Sequence, residues 1–259
     1  MRFGVNMPNV GDPATLVELA EAADRADWDG FFVWDHIHAL PALDPWVVLG
    51  AAAVRTRTIR LGTLVTPVAR RRPWKLAKEV CTLDRLSGGR VILGVGLGIP
   101  AEAEYGAFGE PTAARIHAAM LDEALPLLDS FLRGERVDHD GVHYHVHARL
   151  SPACVQQPRP PIWVATTLPN RRPIERARRW DGIYPLRAGA EGPPSPDELA
   201  DLIAEMDPPE GFDVVSTLSA AVTPAELAGA GVTWALEGPR SPDEPWGEVR
   251  RRIDAGPPR

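Results

Sequence analysis

Residues 59–98 constrain the fold more than any other segment, because they read as a strand, a helix and a second strand in succession. Residues 60–65 favour β-structure, and Pro67 ends that strand since proline has no N–H to donate to a β-ladder. Pro73 suits the first turn of a helix, after which apolar residues recur at helical spacing. Residues 91–93 are apolar throughout, as is typical of a parallel strand covered on both faces. The segment therefore predicts one β/α/β unit of a parallel sheet.

Similar helix-start signals recur along the chain, each a capping residue followed by proline. The capping pairs are Asp12–Pro13, Asp44–Pro45, Ser195–Pro196, Thr223–Pro224 and Ser241–Pro242. Short apolar runs predict the other strands at residues 2–6, 30–34, 160–167, 181–184, 212–216 and 232–236. A chain of 259 residues has room for eight such units. We predict an α/β fold, a TIM (β/α)8 barrel, as a single domain over residues 1–259.

One segment, residues 133–149, departs from this alternation. Asp140 and Gly141 form a turn signal between two alternating stretches, which predicts a small β-hairpin inserted before strand five. His143, His145 and His147 alternate along it, and we interpret them as a solvated strand face instead of a metal site.

Charge and apolar content limit the partners of the chain. A formal net charge of −7 argues against nucleic-acid binding. The N-terminus lacks the apolar core of a signal peptide and no run approaches the length of a membrane span, so we expect a cytoplasmic protein with no membrane partner. Cys81 and Cys154 fit neither a metal spacing nor a disulfide framework and are expected to be reduced thiols.

Active residues of a TIM barrel lie at the C-terminal ends of its strands. Asp35 and His36 follow the second strand, where an imidazole can donate a proton or a hydrogen bond to a bound ring. The alternative is an Asp–His pair that only orders a loop. His36 and His38 also form the His-x-His of some metal-dependent hydrolases, but the fifth strand ends in Thr166 and Thr167, which are not the further ligands that such a site needs.

Three glycines follow the fourth strand and leave its end without side chains. Gly96, Gly98 and Ala101 match a dinucleotide-binding spacing, but Pro100 interrupts the helix that should follow at once. We interpret Gly94, Gly96 and Gly98 as a wall along which backbone N–H groups can approach a ligand.

Two places offer groups that could bind an anion. Arg70, Arg71 and Arg72 precede a helix start, where guanidinium groups and free N–H donors attract phosphate or carboxylate. A solvated surface run is the alternative reading of these arginines. Thr166 and Thr167 lie before a second helix start and offer another anion site.

The chain resembles a known family, the luciferase-like, flavin- or deazaflavin-dependent oxidoreductases. The resemblance rests first on the segment LGTLVTPVARRRPWKLAKEVCTLDRLSGGRVILGVGLG. It continues through EYGAFGEP, DEALPLLDSFLRGE, QQPRPPIWVA, RRPIERARRWDGIYPL and AGVTWALEGP, and so covers nearly the whole chain. It implies a TIM barrel that holds an isoalloxazine or deazaflavin ring at the C-terminal ends of the strands.

The resemblance also implies roles for individual residues. A bulge after strand three, often with a non-prolyl cis peptide, supports the ring in this family and would here be Leu64 to Val65. Asp35 and His36 correspond to the acid–histidine pair of members that use coenzyme F-420, with His36 as the acid or base and Asp35 as its partner. The other expected cofactor contacts are Asn6, Gly94, Gly96, Gly98, Thr166, Thr167 and, for an acidic tail, Arg70.

We therefore predict an oxidoreductase that transfers hydride between coenzyme F-420 and a small organic substrate. The first alternative is an FMN-dependent monooxygenase that uses O2, which is chemically distinct because a deazaflavin carries carbon at the ring position that reacts with O2. A non-catalytic flavin-binding protein is an alternative of another class, and metal-dependent hydrolysis is a third. Because dimers are common in the family, a homodimer is a further expectation.

Overall fold

The computed structural model describes residues 1–187, 192–241 and 244–258. In this part of the chain the strands are β1 (Arg2–Met7), β2 (Gly30–Val33), β3 (Arg60–Pro67), β4 (Val91–Gly96), β5 (Arg136–Asp140), β6 (His145–Arg149), β7 (Ile162–Leu168), β8 (Gly182–Arg187), β9 (Asp213–Thr217) and β10 (Trp234–Glu237). All except β5 and β6 are parallel and close into one barrel of eight strands, in which β1 pairs with both β2 and β10. The predicted TIM barrel is confirmed.

Helices alternate with the barrel strands. They are α1 (Pro13–Arg25), α2 (Pro45–Arg55), α3 (Pro73–Ser87), α4 (Ala101–Glu104), α5 (Ala114–Arg133), α6 (Arg171–Ala177), α7 (Pro196–Met206), α8 (Pro224–Gly229) and α9 (Trp246–Asp254), with short 3-10 turns at Val68–Arg70 and Gly106–Phe108. In the described residues no helix combines the length and the apolar character that a membrane span requires.

The predicted capping pairs start four of these helices. The side chains of Asp12 and Asp44 accept hydrogen bonds from first-turn N–H groups, and Ser195 and Thr223 each form a full capping box. The prediction for the last helix is wrong, because α9 begins at Trp246 and has no side-chain cap, whereas Ser241 lies several residues upstream. Pro242 lies outside the described residues.

The hairpin of β5 and β6 is antiparallel and precedes β7, the fifth strand of the barrel, as predicted. The three histidines do not share one strand face: His145 and His147 lie on β6 and contact Asp140, while His143 lies in the turn and its N–H binds Glu123. The turn is therefore tied to α5, which carries Glu123.

Aromatic rings fill the interior of the barrel. The ring centroid of Phe32 lies 5.3 Å from that of Trp163 and 5.9 Å from that of Trp234, and the two indoles are 5.2 Å apart. Both indole N–H groups donate to the carboxylate of Asp213, at 3.1 Å each. Because this cluster fills the lower part of the barrel, the barrel interior is left open to a ligand at the C-terminal ends of the strands.

Strand β3 carries the expected bulge. Its register against β4 shifts between Thr63 and Thr66, and the peptide bond between Leu64 and Val65 is cis. The strand is also longer than the predicted residues 60–65. It ends with Pro67, which pairs with Gly96 of β4. A proline can occupy this last position because it only withholds one N–H from the ladder.

Candidate functional site

A cavity of about 370 Å³ opens at the C-terminal ends of the barrel strands. It is lined by Asn6, Trp34, Asp35, His36, Leu64, Val65, Pro67, Gly96, Leu97, Gly98, Ile99, Glu104, Ala165, Thr167, Pro173, Arg176, Tyr184 and Leu186. Most of its surface is apolar, with a few polar groups on one side and on the floor. This composition is typical of a small-molecule or cofactor site.

The bulge and the glycines form two of the cavity walls. Leu64 and Val65 project their side chains from the bulge, while Gly96 and Gly98 bring bare backbone to the surface on the β4 side. A Cβ on Gly96 would lie 2.6 Å from a methyl group of Val65, so a side chain there would collide with the bulge. The glycine therefore allows the two walls to come close together.

Two predicted contacts do not reach the cavity surface. Gly94 lies deeper, beneath the bulge, where a Cβ would be 2.2 Å from the carbonyl oxygen of Thr63. Thr166 stands between the cavity residues Ala165 and Thr167, and strand alternation places it on the opposite face of β7. Both positions therefore shape the strands that carry the site and do not line it.

The floor presents polar groups. The hydroxyl of Tyr184 lies 3.2 Å from Oγ1 of Thr217. The Oδ1 atom of Asn6 is buried and has no hydrogen-bond partner among the described residues. Because a buried carbonyl oxygen without a donor is unfavourable, this atom is suited to accept a hydrogen bond from a ligand.

Asp35 anchors a buried ion-pair cluster beside the cavity. One carboxylate oxygen lies 2.6 Å from the guanidinium of Arg70, and the other lies 3.0 Å from that of Arg71. The hydroxyl of Thr66 donates a further hydrogen bond to Asp35, at 2.8 Å. Only 3% of the Asp35 side chain and 8% of the Arg70 side chain are exposed, so the two charges compensate each other away from water.

Glu104, at the end of α4, connects this cluster to the imidazole. Its carboxylate pairs with Arg70 and accepts a hydrogen bond from Nδ1 of His36, at 3.2 Å. It also accepts hydrogen bonds from three successive backbone N–H groups of the loop after β2, those of residues 37–39. One buried carboxylate therefore holds both the loop and the ring that the loop carries.

The surroundings of His36 favour its neutral form. Burial lowers the pKa of the imidazole from its ordinary value of 6.5, the charge of Arg70 lowers the pKa further, and Asp35 acts in the opposite direction. Since a carboxylate can only accept, Nδ1 carries the proton that points to Glu104. The neutral ring then has its lone pair on Nε2. Because Glu104 contacts only Nδ1, Nε2 is available to a ligand.

Two expectations about the charged residues need correction. The hydrogen-bond partner of His36 is Glu104, whereas Asp35 is engaged by the two arginines and Thr66. Arg70 does not line this cavity, because its guanidinium is buried against Asp35 and Glu104. The ion pairs form because the loop after β3 folds back over the end of β2.

Sequence reasoning missed several residues of the site. Glu104 is the most important of them, and it opens the segment EYGAFGEP, which already matched the family. Trp34 lies with its ring edge toward His36, at a centroid distance of 5.9 Å. Arg176 reaches the cavity from α6 while pairing with Asp122 of α5. No local pattern in the sequence shows that these side chains meet.

The His-x-His of the loop does not assemble a metal centre. The ring of His38 is exposed and lies edge-on to Phe108, and Nδ1 of His36 is directed to Glu104. Within the described residues, no group of three or more His, Cys, Asp or Glu side chains could hold a metal ion. Cys81 and Cys154 are free thiols whose Sγ atoms lie 3.0 Å apart, remote from the loop.

Solved structures share this fold. The coenzyme F-420-dependent tetrahydromethanopterin reductase of Methanopyrus kandleri superposes with a TM-score of 0.80, over 98% of this chain and 96% of that one. The sequence identity is 18%, so this likeness concerns the fold.

Curated proteins are similar in sequence. A coenzyme F-420-dependent glucose-6-phosphate dehydrogenase of Nakamurella multipartita is 37% identical over 142 residues, which are 51% of this chain and 40% of that protein. The oxygenase component of a flavin-dependent trigonelline monooxygenase of Acinetobacter baylyi is 31% identical over 183 residues, 66% of this chain and 50% of that protein. The chain spans about half the length of the curated relatives it matches.

The family model for luciferase-like monooxygenases matches residues 1–230. That match includes the hairpin and every barrel strand except β10, and with them every cavity residue named above. The chain therefore belongs to the luciferase-like monooxygenase family.

Proposed function

We propose that this protein is an oxidoreductase that uses coenzyme F-420 to transfer hydride to or from a small organic substrate. The observation that carries the proposal is the state of His36. Its ring faces an apolar cavity, Nδ1 is held by the buried Glu104, and Nε2 is left for a ligand. A proton donor or acceptor in that position is what hydride transfer to a carbonyl, or from an alcohol, requires.

The cavity residues suit a planar, partly polar ring system. Leu64 and Val65 offer an apolar surface, and Gly96 and Gly98 allow close approach of backbone on another side. The unpartnered Oδ1 of Asn6 matches a ring N–H group, which both flavins and deazaflavins carry. When bound, the deazaflavin supplies or takes up the hydride.

The chain's own residues would manage the proton. When a carbonyl is reduced, one hydride and one proton are added, and Nε2 of protonated His36 would give the proton to the substrate oxygen. In the reverse direction the neutral ring would take the proton from the alcohol. Glu104 stabilises the charged ring and fixes its orientation, while the edge of Trp34 limits its rotation.

The F-420-dependent glucose-6-phosphate dehydrogenases support the choice of cofactor, because several of them are 34–39% identical to this chain over about half of its length. The substrate of these relatives is not assigned to this chain, because the aligned region is less than half of each relative. The substrate is therefore proposed only as a small molecule.

Cofactor binding tests this choice directly. Purified apoprotein is titrated with coenzyme F-420 and, separately, with FMN, and binding is followed by the fluorescence of each cofactor. We expect saturable binding of F-420 that is weakened in a variant with Gly96→Val, because that side chain would fill the space beside Val65. Tight binding of FMN together with no binding of F-420 would overturn the proposal.

A second candidate function is an FMN-dependent monooxygenase that uses O2. The observation in its favour is the similarity to the oxygenase component of trigonelline monooxygenase, over 66% of this chain. The same titration separates the two candidates. If FMN binds, oxygen consumption in the presence of an FMN reductase then measures whether the protein is an oxygenase.

A non-catalytic flavin-binding protein is distinguished by the imidazole. We expect His36→Gln to retain cofactor binding and to lose about 10²-fold or more in turnover, which is the usual effect of removing a general acid or base. Binding without turnover in the wild-type protein, with every carbonyl and alcohol substrate tried, would instead favour the binding-protein alternative. The homodimer and the cytoplasmic location stay predictions, to be tested by sedimentation and by cell fractionation.

A further inference from the structure

A second cavity, of about 340 Å³, lies on the far side of the ion-pair cluster from the cofactor cavity. It is enclosed by the loop after β3, the first turns of α5 and the turn of the hairpin, and its lining includes Arg71, Arg72, Ile116, Met120 and Tyr144. The two cavities share no lining residue. Asp35 and Glu104 line the first, and Arg70, which pairs with both, lines the second.

Two of the residues that line this second cavity carry a buried hydrogen-bond donor without an acceptor. The hydroxyl of Tyr144 has no hydrogen-bond partner among the described residues, although only 2% of this residue is exposed. The Nε atom of Arg71 is likewise buried and unpartnered, while its terminal nitrogens pair with Asp35 and Glu79. Two buried donors on one surface need an acceptor that the described protein does not supply.

Arg72 adds a positive charge to the same surface. It is exposed, and in the described part of the chain its guanidinium makes neither an ion pair nor a hydrogen bond. Its charge acts on the hydroxyl of Tyr144: burial and the charge of Glu123 raise the pKa of this phenol to about 12, while Arg72 lowers it. The phenol therefore stays protonated and remains a donor at neutral pH. Glu110 also lines the cavity, and its negative charge raises the pKa of Arg70 and that of Tyr105.

Part of the remaining wall, on the side of α5, is apolar. Ile116 and Met120 project from α5, and Pro111 precedes that helix. An inorganic anion would satisfy the donors but would leave this wall in contact with water. A carboxylate with an apolar body fits both parts, because the acid group can face Tyr144 and the arginines while the body covers α5.

We propose that this second cavity is a binding site for a small organic acid, separate from the cofactor site. The carboxylate accepts hydrogen bonds from the hydroxyl of Tyr144 and from Nε of Arg71, and it is attracted by Arg72. The proposal does not depend on which cofactor occupies the first cavity, or on catalysis there.

Benzoate is the probe, with benzyl alcohol as its uncharged analogue, and binding to the cofactor-free protein is measured by calorimetry. We expect benzoate to bind at one site per chain and benzyl alcohol to bind at least about tenfold more weakly, because it lacks the charge that Arg72 attracts. Tyr144→Phe removes one unpartnered hydroxyl and leaves the ring in place, and it should weaken benzoate binding about tenfold. Arg72→Gln should weaken it by a similar factor.

Arg178→Gln is the matched control, because it removes an equal charge from an exposed residue that lines neither cavity. We expect it to leave benzoate affinity unchanged, and thermal unfolding of all three variants checks that each is folded. The proposal is overturned if wild-type protein does not bind benzoate, or if Tyr144→Phe and Arg72→Gln bind it as tightly as the control. Binding that is lost in a folded Tyr144→Phe variant supports it.

Discussion

At the scale of single residues, the site depends on how buried charges are compensated. His36, Glu104, Arg70 and Asp35 form a continuous chain of contacts from the cavity into the protein. The carboxylates of Asp35 and Glu104 are compensated by the guanidinium groups of Arg70 and Arg71, so the imidazole can stay neutral. The pKa of His36 is lowered mainly by burial and then by Arg70, against the influence of Asp35.

The lowered pKa predicts how stability depends on pH. The folded protein binds the His36 proton more weakly than the unfolded chain, so stability from this residue is present above the ordinary value of 6.5 and is lost as pH falls toward the folded pKa. We expect the melting temperature of wild type to fall more than that of His36→Gln between about pH 7.5 and about pH 5. Thermal unfolding at each pH measures this. A difference between the two proteins that stays constant would contradict it.

The buried position of Glu104 predicts a large cost for its removal. Glu104→Gln leaves Arg70 with one compensating carboxylate fewer, and we expect the free energy of unfolding to decrease by about 3 kcal/mol. Urea unfolding gives the value. Glu79→Gln is the control, because Glu79 pairs with Arg71 and Lys75 near the surface and should cost less than about 1 kcal/mol. Equal losses in the two variants would refute this reading of the cluster.

At the scale of elements, helix starts are defined by side chains that lie next to them in the sequence. Ser195 accepts a hydrogen bond from the N–H of Glu198, whose carboxylate returns one to the N–H of Ser195. Thr223 and Glu226 repeat this arrangement at α8. Before α9 a similar pattern of a capping residue, proline and glutamate occurs at Ser241, but the helix starts only after Pro245. A capping pattern is therefore informative only where the following residues also enter a helix.

This difference gives a matched pair of variants. We expect Ser195→Ala to lower the free energy of unfolding by about 1 kcal/mol, because it removes an N-cap acceptor. Ser241→Ala should change it by less than about 0.5 kcal/mol, since its hydroxyl caps no helix among the described residues. Chemical denaturation of the two variants in parallel measures both values. A cost for Ser241→Ala as large as that for Ser195→Ala would mean that Ser241 does cap α9 in solution.

At the scale of the whole molecule, glycines in the barrel let two neighbouring strands approach each other closely. A Cβ on Gly62 would lie 2.0 Å from the carbonyl oxygen of Ile92, and one on Gly94 would lie 2.2 Å from that of Thr63. Both contacts are between β3 and β4, next to the bulge that carries Leu64 and Val65. The packing of these two strands thus determines where the cavity wall stands.

Substitution of these glycines should reveal that packing. We expect Gly94→Ala to lower the free energy of unfolding by roughly 3 kcal/mol, because the methyl group meets backbone that cannot rotate away. Gly50→Ala, in the open middle of α2, should instead raise it by about 0.5 kcal/mol through the better helix propensity of alanine. Unfolding curves measure both. A stable, unchanged Gly94→Ala protein would show that β3 and β4 can separate without cost.

Much of the fold follows from local sequence. Strand–helix alternation, the proline starts of the helices and the turn at Asp140 and Gly141 each depend on neighbouring residues, and they were found where predicted except for the start of α9. The positions of His36, Leu64, Val65, Gly96 and Gly98 in the cavity also follow, because the ends of parallel strands meet at one edge of a barrel. The hydrogen-bond partner of His36 could not be predicted, because Glu104 is separated from it by 68 residues in the sequence.

The sequence by itself determined a TIM barrel with a ligand site at one end, because periodicity and turn chemistry act over a few residues. Only the tertiary structure decided which carboxylate holds His36, that the Arg70 side chain is buried instead of exposed, and that Tyr144 and Arg72 line the same second cavity. These contacts join segments far apart in the chain. Their energies depend on burial and on distances of a few ångströms, which appear only when the barrel has closed.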